Sequence, residues 1–162
     1  METIEFWDMF FRLLSALILG AFIGVERRSK GKVAGIRTMM MVSLGAAAFT
    51  LTGIAAMESL MAAEEAAANA KETIPMLRMD TSRVIAGIVG GIGFIGAGVI
   101  IQARGRVHGV TTASCIWVAA AVGVGCGLGL FQLAVLVSIF AVLSLQIYFW
   151  SNRHEEPESG DV

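Results

Sequence analysis

The stretch Gly90–Gly98, GGIGFIGAG, contains G-x-G-x-x-G at Gly91, Gly93 and Gly96, the spacing of a turn that cradles a dinucleotide pyrophosphate. That chemistry requires a strand before the glycines, a helix opening within them, and an acidic residue about 20 positions later for the ribose. Here the run Val84–Ala103 is 20 residues without a charge, and after Asp80 the next acidic residue is Glu155. Nothing could hold a ribose hydroxyl, so the phosphate reading is rejected. The other residues able to do chemistry sit at the ends of apolar runs. One group is Glu26, Arg27, Arg37, Thr38, Gly109, Thr111 and Thr112; a second, at the opposite ends, is Asp8, Arg12, Asp80 and Arg83. A carboxylate beside a guanidinium can be a structural pair, or can serve a cation or a partner's charged group. Glu26 closes the first apolar run and Arg37 opens the second across ten residues, so a structural Glu26–Arg37 pair is the favoured reading. Thr111 and Thr112 open an apolar run, where threonine most often caps a helix, and Asp80 before TSR reads as an N-cap aided by the helix dipole. Trp117 reads as a packing anchor, and His108 as a loop residue whose type could sense pH. No nucleophile–base pair and no metal-ligand cluster is visible, so no enzyme is expected. Cys115 and Cys126, eleven residues apart in one expected helix, would lie about 16 Å apart, beyond disulfide reach, and read as small apolar packers.

The elements that must position these residues are membrane spans. Of 162 residues 56% are hydrophobic and only 15% charged, with mean hydropathy +0.76, whereas soluble domains carry about 25% charged residues. A helix needs about 20 apolar residues to cross the roughly 30 Å hydrocarbon layer. Five spans are predicted, over 6–25, 38–57, 84–101, 110–128 and 132–150, with a polar tail over 153–162. The last two come from 46 residues, Val107–Asn152, that lack Asp, Glu, Lys and Arg and are divided near Leu128–Gln132. The fold class is therefore all-α, a polytopic transmembrane helix bundle. The Ala/Glu-rich segment 58–74 is predicted to prolong the second helix outside the membrane until Pro75 stops it. Trp7, Tyr148 and Trp150 fall where interfacial aromatic belts form. Eight of the twelve basic residues (Arg27, Arg28, Lys30, Lys32, Arg37, Arg104, Arg106, Arg153) fall on one side. That asymmetry predicts a cytoplasmic basic side, the N-terminus outside and the C-terminus inside. The acidic start (Glu2, Glu5, Asp8) argues against a cleaved signal peptide.

Lipid tails are as apolar as leucine, so membrane helices associate through close packing that small residues permit. That is the expected reason for the glycines: Gly20 and Gly24 in the first span, Gly87, Gly91, Gly93, Gly96 and Gly98 in the third, Gly123 and Gly127 in the fourth. Spans with small residues on two faces are expected to be wedged between neighbours. The fifth, LAVLVSIFAVLSL, is bulkier and expected at the periphery.

Taken together, LGAFIGVERR (Leu19–Arg28), AGIRT (Ala34–Thr38), DTSRVIAGIVGGIGFIGAGVI (Asp80–Ile100) and GVTTASCIWVAAAVG (Gly109–Gly123) resemble the MgtC/SapB family of bacterial inner-membrane proteins. The resemblance covers most of Leu19–Gly129 in the family's order. It implies a short form without the soluble C-terminal domain of longer relatives, since twelve residues follow Trp150. It also implies a regulatory protein associated with magnesium limitation, acid resistance and virulence, one branch of the family restraining the F-type ATP synthase. The expected partners are the lipid bilayer, another membrane protein and further copies of the chain; no basic field for nucleic acid is present. No motif calls for a cofactor, and Mg²⁺ enters only through the resemblance, with no ligand set assigned. The alternative function is a transporter or channel for Mg²⁺ or another cation. Mg²⁺ meets one or two carboxylates in most sites, and the third to fifth spans contain none, which favours the regulator.

Overall fold

The computed structural model describes residues 5–70, 80–103 and 106–151. In chain order they form α1 (Phe6–Ser29), α2 (Ile36–Ala70), α3 (Thr81–Val99), β1 (Ile101–Ala103), β2 (Arg106–His108), α4 (Val110–Gly127) and α5 (Phe131–Ser151). Four of the helices (α1 to α4) are long and apolar enough to cross a membrane, and α5 adds a shorter apolar stretch, Phe131–Ile147. The all-α bundle expected from the sequence is what forms.

Helix ends follow local backbone chemistry. α1 runs to Ser29, past the expected end at residue 25, because Gly31 adopts φ +62°. The Gly31 N–H then bonds Arg28 O at 3.0 Å and the Lys32 N–H bonds Arg27 O at 3.1 Å, satisfying two terminal carbonyls. The same device closes α4: Gly129 has φ +76°, its N–H bonds Cys126 O at 3.0 Å, and Leu130 N–H bonds Gly125 O at 2.8 Å. α2, 35 residues, is about 52 Å long and outruns a bilayer by some 20 Å. Its continuation matches the helical segment expected over 58–74 as far as Ala70; 71–74 lie outside the described residues, as do the tail 153–162 and Pro75. The third span was expected to reach residue 101, but α3 stops at Val99 and Ile101 pairs with His108 in an antiparallel hairpin. Gly109, at φ +90°, makes the return possible: a Cβ there would collide with the Val99 carbonyl.

α4 is the central helix, touching α1, α2, α3 and α5, and ten of its residues are buried. Glycines set the close approaches. A Cβ on Gly20 would lie 2.7 Å from Met39 O, one on Gly24 2.5 Å from Ile36 Cα, and one on Gly127 2.7 Å from Thr50 Cβ, while on Gly123 it would run into Ser43 O. These contacts make α1 antiparallel to α2, and α2 parallel to α4. The third span departs from expectation. Gly87, Gly91, Gly93 and Gly98 meet nothing within 4 Å; only Gly96 touches a neighbour, Ala113 at 3.6 Å, and it is the one buried residue of α3. α3 packs on α4 and also on α2, through Val84 against Gly53 and Thr81 at Met57, but of its own glycines only Gly96 is a packing contact among the described residues. α5 buries Ala134 and Ser138 and turns its bulky residues outward.

Candidate functional site

The two connections α1–α2 and α3–α4 lie at one end of the bundle, and a buried charge cluster sits beneath them. Glu26 and Arg27, on the last turns of α1, are 7% and 3% exposed. Lys30, one turn on, places Nζ 2.6 Å from Glu26 Oε1 and also donates to the Leu145 carbonyl of α5 at 3.0 Å. Arg27 Nη2 donates to Thr112 Oγ1 of α4 at 3.1 Å, and its Nη1 stands 3.9 Å from Glu26 Oε2. Two cations thus flank one carboxylate, at a helix C-terminus whose dipole favours positive charge. The Glu26 oxygens are buried and held by charge, without a well-directed hydrogen bond, and Arg27 Nε is buried without one. Chemically the cluster is a tether: it joins α1 to α4 and α5 at one level, and its carboxylate already faces two cations.

The Glu26–Arg37 pair expected from the sequence is not there. Arg37 is exposed on the first turn of α2, and Lys30, four residues on from Glu26 at the C-cap of α1, takes its place. Thr38 and Thr111 are also exposed and outside the cluster. Capping at the start of α4 falls to Gly109, without a side-chain cap, so Thr112 is an acceptor for Arg27 and not a cap. Lys30 was missed although its spacing from Glu26 is a helical ion-pair signal. The pairing depends on α1 running on to Ser29, past the expected end at residue 25, which brings Lys30 one turn from Glu26. Ser43, fully buried with no partner for its hydroxyl, was also missed; only the helix crossing that buries it makes it notable.

At the opposite end, Asp80 caps α3 as expected, accepting from Ser82 N–H at 2.8 Å. The Ser82 hydrogen bonds, with a smaller contribution from Arg83, hold its carboxyl below the ordinary value of 3.8. Arg83 is exposed. Arg12 pairs with Asp8 at 2.8 Å and donates to the Gly127 carbonyl at 2.8 Å, satisfying one orphan acceptor at the end of α4. Trp117, expected as a packing anchor, is 52% exposed and lines an apolar groove between α3 and α4 with Ile88, Ile92 and Ala121. Cys115 and Cys126 are buried free thiols. Among the described residues no three His, Cys, Asp or Glu side chains gather in a way that could hold a metal ion.

Apolar helices of spanning length, closed round a central helix and tied at one end by buried charge, define a multi-pass α-helical membrane protein. The chain belongs to the MgtC family, whose sequence pattern matches residues 13–153. It is 39% identical to "Protein SrpB" of Synechococcus elongatus over 143 residues, covering 83% of this chain and 71% of that one. It is 33% identical to "Putative magnesium transporter YhiD" of Escherichia coli over 141 residues, covering 87% and 60%. With "Protein MgtC" of Salmonella typhimurium the identity is 37% over 138 residues, covering 85% and 51%. The chain therefore spans between half and three quarters of the length of these relatives. No solved structure matches it.

Proposed function

We propose that this protein is a non-enzymatic regulator in the bacterial inner membrane, linked to magnesium limitation, acid stress or virulence, and acting through helix contacts with another membrane protein. The observation that carries this reading is the state of Glu26. A cation seeking its carboxylate must displace Lys30 at 2.6 Å and overcome Arg27 as well, which makes the cluster a better tether than an ion site. The F-type ATP synthase is a partner to test by family resemblance alone. The basic excess at the α1–α2 end supports a cytoplasmic position for that end and an outside N-terminus.

A second reading, transport of Mg²⁺ or another cation, draws support from the printed name of the YhiD relative. Purified protein in liposomes loaded with a Mg²⁺-sensitive dye separates the two. The regulator gives no flux above protein-free liposomes, while its expression still alters growth in low magnesium; protein-dependent Mg²⁺ entry sinks the regulator reading.

A further inference from the structure

Above the paired cluster, the α1–α2 connection displays three cations that are unpaired among the described residues. Arg28, Lys32 and Arg37 are exposed, and no side chain among the described residues forms an ion pair or hydrogen bond with theirs. One tight turn holds them together. Lys32 N–H is bound to Arg27 O at 3.1 Å, Arg28 Cβ lies 3.7 Å from where a Cβ on Gly35 would be, and Arg37 stands in the first turn of α2. Between the cations projects Val33, 95% exposed, the most exposed large apolar side chain of the described chain. The hairpin at the same end adds Ile101 and Val107, 61% and 57% exposed. The sole carboxylate at this end among the described residues is Glu26, which is buried and already held by Lys30. Buried Arg27 and half-buried Lys30 add to the positive potential here instead of cancelling it.

The pairing of charge with apolar side chains selects the occupant. A dissolved anion would neutralise the cations and leave Val33 in water. An anionic bilayer surface answers both needs, with phosphates at the level of the cations and the upper acyl region for the valine. The turn also stands where it must for this, immediately beyond the apolar length of α1 and α2. We propose that Arg28, Lys32 and Arg37 bind the headgroup phosphates of anionic phospholipid, with Val33 inserted among the headgroups.

The test uses the full chain, delipidated in neutral detergent and offered phosphatidylglycerol or phosphatidylcholine of the same acyl chains, with retained lipid read by native mass spectrometry. Phosphatidylglycerol should be retained at least ten-fold more than phosphatidylcholine. Each cation changed to Gln should lower that preference by about five-fold, and the Arg28→Gln/Lys32→Gln/Arg37→Gln variant should lose it. The Arg28→Lys/Arg37→Lys variant should keep most of it, which separates charge from any folding defect in the Gln series. Val33→Ser should weaken retention and leave the protein's melting in phosphatidylcholine micelles unchanged. Equal retention of the two lipids by the wild type overturns the assignment, as does undiminished preference in the triple variant. Displacement of phosphatidylglycerol by millimolar inorganic phosphate would make the turn a site for soluble anions and overturn it too. So would retention that develops only after residues 153–162 are removed, because the acidic tail would then be the occupant.

Discussion

At the residue scale, one carboxylate and its neighbours decide most of the chemistry. Removing the charge of Glu26 leaves Lys30 and Arg27 facing each other beside the end of α1 with no counter-charge. Glu26→Gln should therefore lower stability on the order of 3 kcal/mol, the range for breaking a buried pair from one side. Arg37→Gln should change it by less than about 0.5 kcal/mol, as for other exposed positions. Thermal melting in detergent of the two variants and their combination checks this; a measurable coupling between positions 26 and 37 would restore the pair that the structure rejects. Thr112→Val should cost less than Glu26→Gln, because Arg27 loses one neutral acceptor and keeps its carboxylate. Asp80 gives a pH dependence of known sign. Its carboxyl is held below 3.8 in the folded chain, so its contribution is complete above that value and fades as the pH falls through the lowered one. The melting advantage of wild type over Asp80→Ala should thus hold at neutral pH and shrink as the pH falls below 3.8, while a constant difference would assign the cap no role for its charge.

At the element scale, glycines of equal appearance do unequal work. Gly123 lies on the backbone of α2 at Ser43, and Gly91 faces open space on α3. Gly123→Leu should destabilise by at least the roughly 1–3 kcal/mol of an overpacked core, whereas Gly91→Leu should be neutral or slightly stabilising through its higher helix propensity. If Gly91→Leu instead lowers melting or membrane abundance as much as Gly123→Leu, α3 packs against something beyond one chain. The number of helices, the turn at Leu128–Leu130 and the N-cap of α3 were legible because they rest on local signals: apolar length, glycine placement and an Asp before a hydrophobic run. Which glycines touch a neighbour was not legible, since four-residue spacing marks a face without saying what it faces. The hairpin after Val99 was hidden for a similar reason: Ile100 and Ile101 extend the hydrophobicity of α3 although the backbone has left the helix. The partner of Glu26 was misread because the boundary of α1 was placed too early, before the Gly31 turn that ends it.

For the whole molecule, the first matter is which end faces which compartment. Single cysteines at Ser29 and Ser59, in a background without Cys115 and Cys126, occupy exposed positions near the two ends of the bundle. Ala67, by contrast, is buried and would be a poor probe. With the basic end in the cytoplasm, an impermeant thiol reagent applied to spheroplasts should label position 59 and spare 29; the reverse pattern would invert the proposed orientation. A second consequence concerns what kinds of motion remain open to the bundle. α1 grips α4 twice, through Arg12 at the Gly127 carbonyl and through Arg27 at Thr112. The two grips are separated by fifteen residues on each helix, about 22 Å of axis in both. Two rods fastened at matched points cannot slide past one another without releasing a clamp. Piston strokes are therefore barred to this pair, which can only roll or bow while both clamps hold.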